Sequence, residues 1–155
     1  MKKHEGNYIL RTATLEDSQL LYNWVNDATV RNMSINSKII SWAEHNKWLN
    51  KNLGTTTFKI LILEYDENPV GQIRYEYIER YWLIDYSVDC AYRGMGFGKK
   101  LLELSISLFS NCQIRATVKK DNFYSNHIFI NSGFILDGEE IINGMNFARY
   151  LLECK

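Results

Sequence analysis

The chain carries a single proline, three cysteines and no net charge: across 155 residues, 18 basic side chains balance 18 acidic ones. Neutrality gives no electrostatic case for a nucleic-acid partner, because phosphate binding rests on concentrated Lys and Arg. Cys90, Cys112 and Cys154 are odd in number and scattered, and match neither a disulfide framework nor a CxxC metal pattern. Each reads as a buried structural cysteine, and no metal is expected. No apolar run approaches the ~18 residues that span a bilayer. The opening MKKHEGNYIL lacks the apolar stretch of a secretory signal. These absences together predict a reduced, cytoplasmic protein with no membrane partner. Without repeats, linker or low-complexity tract, the expectation is one domain over 1–155 with a real core.

Periodicity supplies the elements. YILRTA (8–13) alternates as a short strand. Thr14 and Asp17 have capping-box spacing at the head of an apolar helical stripe, Leu20, Leu21, Trp24 and Val25. DATVRNMS reads as a short turn of helix or a loop. Ser41 and Glu44 repeat the capping pattern before Trp42, His45, Trp48, Leu49 and Leu53, and Gly54 suits the end of that helix. TTFKILILE, VGQIRYEYIE and RYWLIDYSVD read as three strands, with Pro69 in the turn between the first two. A helix is predicted over about 98–110. QIRATVKK follows as a strand, then a short helix ended by Gly133, then two strands around Asn143-Gly144. The order is that of a mixed α/β chain built around one sheet.

The stretch CAYRGMGFGKK puts Gly94, Gly96 and Gly98 between a strand and a helix. A helix N-terminus offers unpaired N–H groups and partial positive charge, and glycines let a bulky anion come close. Arg93, Lys99 and Lys100 can add charge. The spacing fits neither the dinucleotide fingerprint, which needs G-x-G-x-x-G, nor the P-loop, which needs Ser or Thr where Lys100 stands. A glycine-rich turn with no ligand is the bland alternative.

A third pattern, [RQ]-x-x-G-x-[GA], fits Arg93, Gly96 and Gly98, and resembles the acetyl-CoA loop of the GNAT superfamily of N-acetyltransferases. Asn122, Ser125, Phe129, Gly133 and Phe134 match the superfamily's later N-x-x-[AS]-x-x-x-[YF]-x-x-x-G-F pattern with the same spacing. The resemblance covers roughly residues 7–155. It implies a mixed α+β fold: a mostly antiparallel sheet of six or seven strands, splayed at the acetyl-CoA site and flanked by about four helices. It also implies acetyl-CoA as co-substrate. The loop N–H groups from about Gly94 to Lys99 would hold the diphosphate. Val88 would pair with the pantetheine arm where the sheet splits, and Asn122 would hold that arm. Dimers are common in such folds, but the sequence shows no interface.

By resemblance, the acceptor amine attacks the thioester directly, without an acyl-enzyme. The reaction then needs a base, positioning, and help for the departing thiolate. Many relatives carry a tyrosine as acid where this chain has Phe129, which cannot donate a proton. Tyr124, Ser125 and His127 lie on the same short helix, and Tyr124 is the candidate taken forward. Its alternative is a packed or surface aromatic. For the base, Asp85 lies three residues before Val88, with Glu76 behind it. Solvated strand carboxylates are the alternative.

The first helices resemble a subgroup with W-x-N-D, V-R and I-x-x-x-E-H-x-x-W-L patterns. That subgroup includes nucleotide-sugar N-acetyltransferases of pseudaminic-acid biosynthesis. The resemblance implies a nucleotide-linked amino-deoxysugar acceptor met by Trp24, Asn26, Arg31, His45 and Trp48. Cation–π and charge-assisted contacts suit such a ligand. The apolar stripes equally place Trp24 and Trp48 in the core. Two other functions stay open: acetylation of protein N-termini, including ribosomal proteins, and non-catalytic sensing of acyl-CoA.

Overall fold

The protein is described by a computed structural model over residues 6–155. Those residues form one seven-stranded sheet in the order β1-β2-β3-β4-β5-β7-β6, with five α-helices. The strands are β1 (Tyr8–Thr12), β2 (Phe58–Tyr65), β3 (Asn68–Ile78), β4 (Tyr81–Val88), β5 (Cys112–Lys119), β6 (Ile135–Ile142) and β7 (Met145–Cys154). The helices are α1 (Ser18–Val25), α2 (Ala28–Met33), α3 (Trp42–Asn52), α4 (Phe97–Ile106) and α5 (Phe123–Asn131). Neighbouring strands are antiparallel, except that β4 and β5 run parallel. A parallel pair needs a crossover, and α4 supplies it.

Local chemistry sets most boundaries. The Thr14–Asp17 capping box closes around a 3-10 turn that leads into α1. Asp17 also takes two 2.8 Å hydrogen bonds from Arg11, which ties β1 to this turn. Ser41 Oγ accepts from the Glu44 N–H at the start of α3. Asp66 and Glu67, then Asn143 and Gly144, all adopt positive φ and make two-residue hairpin turns.

DATVRNMS, left open between a short turn of helix and a loop, holds a helix, because Asp27 Oδ1 accepts from the N–H groups of Thr29 and Val30. Two boundaries need correction. Pro69 lies inside β3, opposite Glu64, where the β2–β3 register shifts; its missing N–H is tolerated beside that irregularity. Helix α4 runs Phe97–Ile106 rather than 98–110. Leu108 and Phe109 instead donate back three residues, to Ser105 and Ile106, and tighten the chain out of the α-helix.

The sheet separates two cores. On one face Leu101 and Leu102 of α4 and Ile128 and Phe129 of α5 pack on Leu61, Leu63, Ile73 and Tyr75. On the other, Leu21 and Trp24 of α1 and Leu49 of α3 pack on Phe58, Ile60 and Ile62. Strand β2 therefore feeds both cores with successive side chains, which explains why ILIL reads as a continuous apolar run. The cysteines differ from the buried reading. Cys90 is exposed, and Cys112 and Cys154 are half-buried and directly opposite each other on β5 and β7.

Candidate active site

The parallel pair β4–β5 holds only at Trp82–Ile114 and Leu83–Arg115. From Ile84 onward the strands part, as the resemblance implied, and the segment up to Val88 borders an opening. The α1–α3 region closes one side of it, and the start of α5 closes the other. The resulting cleft holds about 650 Å³. Strand alternation divides its chemistry. Asp85 faces the first helices; its Cα partner on β3 is Arg74, and the two side chains pair at 3.1 Å. Ile84, Tyr86 and Val88 face the opposite way, onto the core beneath α4 and α5.

The three glycines have different causes. Gly94 and Gly96 adopt φ of +77° and +86°, and no heavy atom lies within 4 Å of where a Cβ would sit. Gly98 is helical, and a Cβ there would meet Ile128 Cδ1 and the Tyr86 ring at 3.1 Å. It is therefore a close-packing glycine. Among the described residues, no protein acceptor takes the backbone N–H groups from Gly94 to Lys99. That row of free donors at the head of α4, with open space over two glycines, fits the diphosphate of acetyl-CoA. Lys99 is exposed at its edge. Lys100 pairs with Glu103 and lies over the Tyr8 ring.

Arg93 is already engaged. Its guanidinium donates to Asp27 Oδ1 at 2.7 Å and to the Val88 carbonyl at 3.2 Å, joining the loop to α2 and to the end of β4. Burial works against ionisation of Asp27. The Arg93 ion pair and the Val30 and Thr29 N–H groups nonetheless hold its carboxyl below the usual range. Asn122 is the N-cap of α5, its Oδ1 accepting from Ser125 N–H at 3.2 Å, and it lines the cleft.

The five acceptor candidates separate. Trp24, His45 and Trp48 line a second cavity of about 260 Å³, between α1, α3 and the sheet. Trp24 is buried and donates through Nε1 to Asp89 Oδ2 at 2.7 Å. His45 is buried with Nε2 2.9 Å from the Ser18 carbonyl, an arrangement that fits Nε2 as the donor. Burial lowers its pKa, partly offset by that bond, so the ring is neutral at pH 7. Asn26 clamps the N–H and carbonyl of Ile40 at 2.8 Å each. Arg31 lines the main cleft, but its donors reach the carbonyls of Val25, Asn36 and Lys38 and the Ser34 hydroxyl. The helix-stripe reading of Trp24 is thus the geometry observed, and Asn26 and Arg31 organise the loop between α2 and α3.

Of the catalytic candidates, Asp85 and Tyr124 both line the cleft and both are exposed. His127 bonds Asn131 on the outside of α5. Phe129 is buried between Tyr86, Phe134 and Tyr150. Sequence reasoning missed Arg74, which borders both cavities and lies 5.4 Å over the Trp48 ring. It also missed Asp89 and Tyr86, and met Asp27 only as the last residue of the W-x-N-D pattern, without its partner Arg93. Their roles depend on contacts 65 and 66 residues away for Asp89 and Asp27, and 39 for Tyr86, which no local pattern carries.

Similarity to known proteins agrees with this geometry. The spermidine N-acetyltransferase of Vibrio cholerae, solved with CoA and spermine, superposes with a TM-score of 0.84 at 19% identity, covering 94% of each chain. RimL, a ribosomal-protein alpha-N-acetyltransferase solved with coenzyme A, gives 0.83 at 19% identity over 95% of this chain and 94% of its own. A dodecameric form of the Vibrio cholerae enzyme gives 0.76 at 20% identity, covering 94% and 93%. No curated protein sequence matches the chain significantly. Residues 19–134 match the acetyltransferase (GNAT) family, and with its split sheet and its glycine loop at the head of α4 the chain belongs to that family.

Proposed function

We propose that this N-acetyltransferase moves the acetyl group of acetyl-CoA onto an amino-deoxysugar, carried as a nucleotide-linked form. The supporting observation is the junction at Arg74. The main cleft and the smaller cavity share Val25, Ile40 and Arg74. A two-part acceptor could thus keep its amine beside Asp85 and its second half against the Trp48 ring, with Arg74 as the cation between them. In this reading Arg74 takes the anionic-group role that the sequence pattern suggested for Arg31. Trp24 and His45 form the wall behind.

The chemistry needs few groups. The neutral amine nitrogen adds to the thioester carbonyl, the C–S bond breaks, and coenzyme A leaves as a thiolate. Asp85, on the acceptor side of β4, takes the amine proton through a water. Backbone N–H groups from Gly94 to Lys99 hold the diphosphate, Val88 borders the pantetheine arm, and Asn122 holds it from α5. A thiolate is a far better leaving group than an alkoxide or an amide anion, so acid help need only be modest.

The relatives define the competing acceptors, a polyamine or a protein N-terminus. A polycation is disfavoured by Arg74 beside Asp85, and by Arg31 on the wall of the same cleft. The test is thiol release from acetyl-CoA with UDP-4-amino-4,6-dideoxy sugars, spermidine, spermine, amino acids and N-terminal peptides in parallel. Turnover confined to the amino sugars is expected. Turnover confined to polyamines or peptides overturns the acceptor and leaves acetyl transfer standing. Acetyl-CoA binding without turnover on any amine would favour a sensor.

A further inference from the structure

We propose that Ser125 Oγ donates a hydrogen bond to the departing thiolate, and that Tyr86, from the other side of the sheet split, orients Ser125 by donating to it. This rests on the acetyl-transfer reading above. Position 129 offers no donor, because Phe129 is buried and apolar. The hydroxyls that face the cleft from the α4–α5 side are therefore the groups to consider. Tyr86 and Ser125 both line the cleft, and their oxygens lie 2.7 Å apart, joining β4 to α5 across the gap.

The pair is fixed at both ends. Ser125 sits in the first turn of α5, its N–H held by Asn122 Oδ1. The Tyr86 ring packs edge-on against Phe129 at 5.9 Å and fills the space above Gly98. Burial pushes the Tyr86 pKa up, although Ser125 opposes the shift, so Tyr86 stays protonated and does not act as a true acid toward a thiolate. It can still donate. With the tyrosine proton directed at Ser125 Oγ, the serine hydrogen is free to point into the cleft, and a chain of two such bonds polarises itself. No proton is transferred: the thiolate is stabilised as it forms and takes its proton from solvent. Strand alternation gives the logic, since adjacent residues Asp85 and Tyr86 address opposite sides of β4. One meets the amine and the other backs the leaving sulfur.

The test reads the thiol directly and needs no acceptor. The coenzyme A thiolate absorbs in the ultraviolet, so a spectroscopic titration of the free cofactor sets the reference pKa. Bound to the wild-type protein, its thiol pKa is expected to fall by about one to two units, the range of a hydrogen bond to a charged group. Ser125→Ala should return most of that shift. Tyr86→Phe should return part of it, and Ser125→Thr should keep it. Arg93, Lys119, Asp85 and Tyr124 also face the cleft and remain in the Ser125→Ala protein, so the difference between proteins isolates the hydroxyl. In turnover, Ser125→Ala should lower kcat about ten- to a hundredfold with KM for acetyl-CoA within about twofold, the pattern of a group acting in the transition state. An identical bound-thiol pKa in wild type and Ser125→Ala overturns the inference while leaving acetyl transfer intact. So does a shift lost in Tyr124→Phe but not in Ser125→Ala. Failure of wild type to bind coenzyme A overturns the acetyl-transfer reading, and this inference with it.

Discussion

Replacing Gly98 by alanine tests whether α4 and α5 are as closely packed as the structure has them. In an exposed helix the change would stabilise, because glycine is worth up to ~1 kcal/mol less than alanine there. Here the new Cβ meets Ile128 Cδ1 and Tyr86 Cε2 at 3.1 Å each. Carbon pairs rest at ~3.5–4.0 Å, so both contacts are short by roughly half an ångström. Ile128 Cδ1 is a side-chain tip and can shift. The Tyr86 ring is held by Phe129 and by the bond to Ser125. Overpacking of this kind costs ~1–3 kcal/mol. Set against the propensity gain, the net is a loss of about 1 kcal/mol. For a domain of this size that lowers Tm by about 2–4 °C, measured by calorimetry. The displaced ring should also lower kcat. A Tm that rises by the same amount would show that Ile128 and Tyr86 yield freely, and would refute the close-packing account of Gly98.

Gly96→Glu should weaken acetyl-CoA binding by more than about tenfold in calorimetric titration, because φ is +86° and the added carboxylate enters the space of the diphosphate. Unchanged affinity would move the diphosphate elsewhere. Asp85→Asn should lower kcat by more than about tenfold with KM for acetyl-CoA little changed; a wild-type kcat excludes Asp85 as base. Trp24→Phe keeps the ring in its core but leaves Asp89 Oδ2 without its 2.7 Å partner, and should cost ~1–3 kcal/mol in urea unfolding. The His45 pKa is lowered by folding, so the unfolded chain takes up that proton first as pH falls below ~6.5. Stability should be fully present above that pH and decline below it, and His45→Gln should flatten the urea midpoint between about pH 7 and about pH 5.

Local signals were readable because their causes are local. The Thr14–Asp17 box, the Ser41 cap, the Asn143-Gly144 hairpin and the Asn122 cap each need only a few consecutive residues to form. The short helix α2 was ambiguous because no residue on it is buried, and its start depends on the Asp27 cap. Pro69 misled because Asn-Pro is a turn signal, while the turn is made one step earlier by positive φ at Asp66 and Glu67.

The sequence by itself determined the family, the order of the strands and of every helix but α2, and the glycine loop at the head of α4. These follow from spacing along the chain, which the backbone preserves when it folds. Only the tertiary structure decided what the polar side chains do. It turned Arg31 and Asn26 toward the loop they hold, bound Arg93 to Asp27, gave Trp24 an acceptor in Asp89, and set Arg74 beside Asp85. It also brought the Tyr86 hydroxyl across the sheet split to Ser125. Hydrogen-bond partners are chosen by distance in space, and strand register with helix packing brings together residues that lie far apart along the chain.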